Sequence, residues 1–182
     1  MCAMSWIPLV SDEEASPEVK KMYDYIRERW SFVPNYFLAL GRDSQLLRDQ
    51  MNLYTNAMFD DHGGLPRVIK EQLAIVVSGL NMSSYCLPAH LEILGRLGLD
   101  KKLGRALSLN YKNAPVEPKV MELFCFADKL NQSPSEMQRA DVEKLREAGW
   151  SDAAIFETVL VVSLYSCANR FSAGLGLTPD FS

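Results

Sequence analysis

The stretch from Pro66 to Asn81 constrains this chain most, because Val68, Leu73, Ile75, Val76, Val77 and Leu80 recur so densely that a helix built from it has almost no polar face. Such a helix is stable only when neighbours cover it on most sides, so it must be the centre of a core that the remaining chain encloses. Strict apolar–polar alternation is nearly absent elsewhere, and helix start and stop signals are frequent. The sequence therefore reads as an all-α bundle of about seven or eight helices joined by short turns.

Capping residues mark the other boundaries. Ser16-Pro17 opens a helix to Trp30, and Asp43 or Ser44 opens one to about Phe59. Ser83-Ser84 precedes a helix from Tyr85 to about Leu97, one helix is expected from Pro134 to Ala148, and Ser151-Asp152 starts a last apolar helix through Phe171. With 182 residues and no long linker, residues 1–182 form a single domain or two small helical halves sharing a core, and the informative region spans about 66–97. Ala74-Ile75-Val76-Val77-Ser78 is echoed by Val159-Leu160-Val161-Val162-Ser163, each after a glutamate, Glu71 and Glu157, as in a duplicated helical unit.

Charge and targeting patterns exclude several classes. The net charge is −4, and Lys20-Lys21 and Lys101-Lys102 are isolated basic pairs, so no nucleic-acid footprint is present. Although 48% of residues are hydrophobic, no apolar run approaches the roughly eighteen residues of a membrane span. Met1 to Trp6 carry no basic run followed by an apolar stretch, which points to the cytoplasm, where Cys2, Cys86, Cys125 and Cys167 stay reduced. Two histidines without zinc spacing, and no phosphate loop or dinucleotide fingerprint, lead us to expect neither metal nor cofactor.

Chemistry concentrates in Ser83-Ser84-Tyr85-Cys86-Leu87-Pro88-Ala89-His90. With Ser83 as the helix N-cap, Cys86 lies in the first turn, where free N–H groups and the helix dipole favour a thiolate. His90 falls four residues later on the same face, close enough to exchange a proton with the thiol directly or through one water. Glu71 joins them if its helix folds back, and there it can orient or deprotonate His90. A Cys and a His at this spacing also occur as ordinary core residues. His62 in the Asp61-His62-Gly63-Gly64 turn reads as solvated, Tyr85 as packing or as a hydroxyl donor to a bound molecule, and Cys125 and Cys167 as core. Arg170 is expected to seek a carboxylate, for which Glu71 or Glu157 could serve, or a carbonyl end.

Glu71 followed by Ser83-x-x-Cys86-x-x-x-His90, around the buried Ala74–Asn81 run, resembles the AhpD-like alkylhydroperoxidase signature of the carboxymuconolactone decarboxylase superfamily, which reads Glu, Cys-x-x-Cys and His. Trp6-Ile7-Pro8, Val33-Pro34-Asn35, Leu65-Pro66 and Asn169-Arg170-Phe171 are similar to the peroxidase-related branch, so the likeness spans nearly the whole chain. The resemblance implies an all-helical homo-oligomer in which the second cysteine attacks peroxide and the first resolves the resulting sulfenic acid. Here Cys86 holds the attacking position and Ser83 the resolving one, and a hydroxyl forms no disulfide. The expectation is a peroxidase-related thiol oxidoreductase in which Cys86 attacks, His90 shuttles the proton, Glu71 orients His90, Ser83 steadies the thiolate and an external thiol is the reductant. The alternatives are a decarboxylase-like acid/base enzyme using His90 and Glu71, and a non-catalytic binding protein of the same fold.

Overall fold

The computed structural model describes residues 5–59, 64–98 and 100–181. Helices α1 (Pro17–Trp30), α2 (Asn35–Leu40) and α3 (Ser44–Met58) come first, and α4 (Arg67–Leu80), α5 (Cys86–Arg96), α6 (Lys101–Asn110), α7 (Pro118–Gln132), α8 (Arg139–Glu147) and α9 (Asp152–Leu175) follow. Among the described residues there are thus nine α-helices and no strand. The count is slightly above the seven or eight expected.

Local chemistry sets most boundaries. The side chains of Ser16, Asp43 and Ser151 accept backbone N–H groups at the starts of α1, α3 and α9, each filling donors the helix leaves open. The single helix expected over 134–148 is instead a 3-10 turn at Pro134–Glu136 followed by α8, because Gln138 and Asp141 cap the new start reciprocally. Helix α9 continues past Phe171 to Leu175 and stops at Gly176, whose φ of 60° only glycine adopts freely. That left-handed turn sends the last residues back across the molecule.

Helix α4 is the core's axis, touching α5, α6, α7 and α9. Leu73, Ala74, Ile75, Val76 and Val77 are buried, and each of the larger side chains contributes about 1.5–3 kcal/mol relative to exposure. Gly79 lets α6 approach closely, since a Cβ there would lie 2.4 Å from the Ser108 carbonyl oxygen. A smaller cluster unites Val19, Tyr23 and Ile26 of α1 with Phe37, Leu40, Leu47 and Met51. Tyr36 and Phe171 pack against both clusters. Of the two echoed segments, Ala74–Ser78 is buried throughout whereas Val159 and Ser163 are exposed. Glu157 meets Lys70 of α4 at 3.3 Å, a buried ion pair joining α4 to α9. No helix among the described residues is long and apolar enough to cross a membrane.

Candidate active site

The turn between α4 and α5 builds the site. Ser83 N–H donates to the Ser78 carbonyl at 2.9 Å and Met82 N–H to that of Gly79 at 2.9 Å, with Met82 at φ 49°. This paired closure of a helix end normally places glycine at the left-handed position. It delivers Ser83 straight to the start of α5, where its Oγ accepts the Cys86 N–H at 3.2 Å. The regular helix opens at Cys86, with Tyr85 rather than Ser83 in the N-cap place, yet Ser83 still receives the Cys86 N–H; among the described hydrogen bonds it makes none to the Cys86 sulfur.

The sulfur's neighbour is a residue the sequence did not single out. Cys86 Sγ lies 3.6 Å from Ser172 Oγ of α9, and the Ser172 hydroxyl donates to the Ala168 carbonyl. With that proton committed, Ser172 offers lone pairs to an S–H, so the arrangement suits the thiol and must rotate to serve a thiolate.

Glu71 and His90 meet as the motif suggests. Glu71 Oε2 accepts from His90 Nδ1 at 2.6 Å, and Glu71 Oε1 accepts from Arg67 Nε at 2.9 Å and from Arg67 Nη2. Arg67 is itself fixed by donating to the Met58 carbonyl at 3.0 Å and by stacking 3.9 Å over Phe59. Burial works against the Glu71 anion, but His90 and the guanidinium outweigh it and hold the carboxyl below the usual carboxylate range. A carboxylate accepting at Nδ1 places the hydrogen there and leaves Nε2 as the basic nitrogen. Tyr165 packs edge-on to the imidazole with centroids 4.5 Å apart, which fixes the ring plane.

Cys86 and His90 both line one cavity of about 130 Å³, whereas Glu71 and Ser83 stand behind its wall. Trp30, Tyr36, Phe37 and Tyr54 face it from the N-terminal helices, and Tyr85, Tyr165 and Phe181 complete an aromatic enclosure. Burial pushes the Tyr36 and Tyr54 phenols above their ordinary range, so these walls stay neutral. Among the described residues no hydrogen bond joins Cys86 to His90; the two side chains share the cavity without touching through a polar contact.

The C-terminal tail closes one side. Asp180 accepts from Asn35 N–H at 3.0 Å and from the Tyr85 hydroxyl, while Asn35 Nδ2 donates to the Thr178 carbonyl at 3.0 Å. Phe181 sits edge-on to Phe32. The Tyr85 hydroxyl is thus engaged in holding the tail, which corrects its reading as a donor to a bound molecule. Arg170 reaches neither Glu71 nor Glu157 but donates to the Ser166 carbonyl at 2.8 Å on its own helix. Cys125 and Cys167 are exposed rather than core, and neither lines the cavity. His62 and Cys2 lie outside the described residues.

No protein-family model matches the sequence, and no curated protein matches it significantly. Solved structures do. An uncharacterized peroxidase-related protein from Silicibacter sp. TM1040 is 28% identical over 99% of this chain and 96% of its own, with a TM-score of 0.86. An uncharacterized peroxidase-related protein from Ralstonia eutropha JMP134, described as an alkylhydroperoxidase AhpD core, is 24% identical over 99% and 94%, with a TM-score of 0.91. The debrominase Bmp8, as a cysteine-to-alanine variant in complex with 2,3,4-tribromopyrrole, is 17% identical over 95% and 90%, with a TM-score of 0.79. The all-helical AhpD-like fold is that of this chain.

Proposed function

We infer that this AhpD-like chain is a single-cysteine thiol oxidoreductase that reduces hydroperoxides at Cys86. The observation that carries the reading is the convergence at one apolar cavity of a thiol in the first turn of α5 and an imidazole whose far nitrogen is bonded to a buried carboxylate. Similarity in fold to peroxidase-related proteins supports it.

In the proposed cycle, His90 Nε2 takes the Cys86 proton through the bound hydroperoxide or a water, and the thiolate attacks the terminal oxygen of R–O–O–H. An S–O bond forms, the O–O bond breaks, and His90 returns the proton to the departing alkoxide, giving R–OH and a sulfenic acid on Cys86. Ser83 forms no disulfide, so a first external thiol condenses with the sulfenic acid, releasing water, and a second restores Cys86 and leaves as a disulfide. Glu71 stabilises the imidazolium, and Arg67 keeps Glu71 ionised. Assembly as a homo-oligomer and a cytoplasmic location belong to this proposal.

A second reading uses the Glu71–His90 pair as an acid/base unit, as in a decarboxylase-like reaction. It is favoured by the absence, among the described residues, of any hydrogen bond from that pair to Cys86. Peroxide consumption with a small thiol as reductant separates the two. The proposal expects turnover in the wild type, none in Cys86→Ser and a loss of about 100-fold or more in His90→Ala. Undiminished turnover in Cys86→Ser overturns it.

A further inference from the structure

The cavity beside Cys86 has a shape as specific as its chemistry. At about 130 Å³ it approaches the protein cavities of about 150 Å³ that take up benzene. Trp30 stacks on Phe37 with centroids 5.4 Å apart, Tyr54 stands edge-on to both, and Tyr36 stands edge-on to Phe37. Each ring is held by the next, so the wall is rigid and presents faces and edges at the spacings aromatic rings prefer. On the opposite side, Ala89, three residues after Cys86, and Ala168 leave room that a larger side chain would fill.

The charged side chains at the cavity already have partners. Glu92 accepts from Arg96 at 3.2 Å and from Lys101 at 3.1 Å, and Asp180 is engaged by Tyr85 and Asn35. Glu71 answers His90 from behind the wall. Arg96, the one lining guanidinium, is spent on Glu92 through Nε and its side chain is largely solvent-exposed, so beside Cys86 the lining is aromatic and asks for no ionic group on a ligand.

We propose that the cavity is a binding site for a neutral molecule with one planar ring, its reactive substituent directed at Cys86. Under the hydroperoxide reading, on which the direction of that substituent rests, the substrate is a monocyclic aromatic hydroperoxide rather than hydrogen peroxide or a straight-chain alkyl hydroperoxide. Hydrogen peroxide leaves most of the volume unfilled. A flexible chain loses rotamer freedom on entering a rigid space, whereas a ring has little to lose.

Binding can be tested without turnover. The Cys86→Ser protein is titrated with benzyl alcohol and with 1-heptanol, which share carbon number and a hydroxyl, following calorimetric heat and the part of the tryptophan fluorescence change that Trp30→Phe removes. Benzyl alcohol is expected to bind at least about tenfold more tightly, the equivalent of 1.4 kcal/mol, although the heptyl chain is the more hydrophobic. Ala89→Leu in the same background is expected to abolish ring binding. Should that variant fail to fold, shown by circular dichroism, the ring-to-chain contrast decides alone. Equal binding of ring and chain, binding of neither, or unchanged ring binding in folded Ala89→Leu overturns the proposal. Because no peroxide is present, a ring site found in a protein inert to peroxide would sink the oxidoreductase reading only. Peroxide turnover without ring selectivity would sink the ring site only.

Discussion

Glu71 and His90, nineteen residues apart, meet at 2.6 Å between α4 and α5, with the carboxylate wholly buried and its second oxygen held by Arg67. The contact gives the imidazole one tautomer and leaves its other nitrogen for the cavity. Replacing Glu71 by Gln keeps the size of the side chain but removes the charge that stabilises an imidazolium. The expected result is a fall in kcat of about 10- to 100-fold, with a smaller change in KM, measured by steady-state peroxide reduction. Glu71→Ala leaves Arg67 and His90 facing an empty carboxylate site and should cost about 3–5 kcal/mol in chemical denaturation.

The same carboxylate predicts an acid limit to stability. Its folded pKa lies below the ordinary value of 4.5, so the stability it contributes is fully present above pH 4.5 and is lost as pH falls through the depressed value. Melting temperature should decline in that window in the wild type and less steeply in Glu71→Gln. Asp180 has the opposite sign, because burial raises its pKa above 3.8 despite the Tyr85 and Asn35 bonds. Its contribution is present below 3.8 and is lost as pH rises through the raised value, which Asp180→Asn should eliminate.

Ser172 supplies a sharper test of the thiol's surroundings. Its hydroxyl donates to the Ala168 carbonyl and therefore accepts from the Cys86 S–H. Ser172→Ala removes the acceptor of the Cys86 S–H, so Cys86 alkylation at neutral pH should accelerate. A slower reaction would mean that Ser172 donates to the thiolate instead.

A sulfur in place of the Ser83 hydroxyl should change how the proposed cycle closes. In Ser83→Cys, a thiol replaces the hydroxyl whose Oγ lies 3.2 Å from the Cys86 N–H. Peroxide treatment is expected to leave the variant two mass units lighter, as an intramolecular disulfide, where the wild type gains one oxygen. Loss of the hydroxyl acceptor should cost about 1 kcal/mol.

Met82 holds a left-handed conformation at φ 49° and is 88% exposed, so its side chain gives little packing in return. Met82→Gly should raise unfolding free energy by about 1 kcal/mol through relief of that strain, read from urea denaturation, while kcat is unchanged.

The parts of this architecture that depend on local pattern were legible in the sequence. The dense apolar positions from Val68 to Leu80 identified the central helix, and the four-residue interval from Cys86 to His90 put both on one face of α5 and on one cavity. Long-range geometry was not legible. Ser172 lies 86 residues from Cys86 and approaches it only because α9 packs across α4 and α5. Arg67 is one turn before Glu71 and resembles any surface i,i+4 pair until the carboxylate is seen to be buried. Apolar neighbours made Cys125 and Cys167 look like core, yet each falls on an outward face. Arg170 found a carbonyl one turn back, which no spacing distinguishes from a carboxylate partner. The role of Asp180 depends on the Gly176 turn returning the chain to Asn35 and Tyr85.

The central claim is that Cys86 is the atom that takes oxygen from peroxide. Its most direct test is mass spectrometry of the protein after one equivalent of an organic hydroperoxide in the presence of a sulfenic-acid trap. The account predicts a single adduct on Cys86, formed within the time of one turnover and slowed in His90→Ala. An unmodified Cys86, with peroxide intact or with the adduct on Cys125 or Cys167 instead, would contradict it.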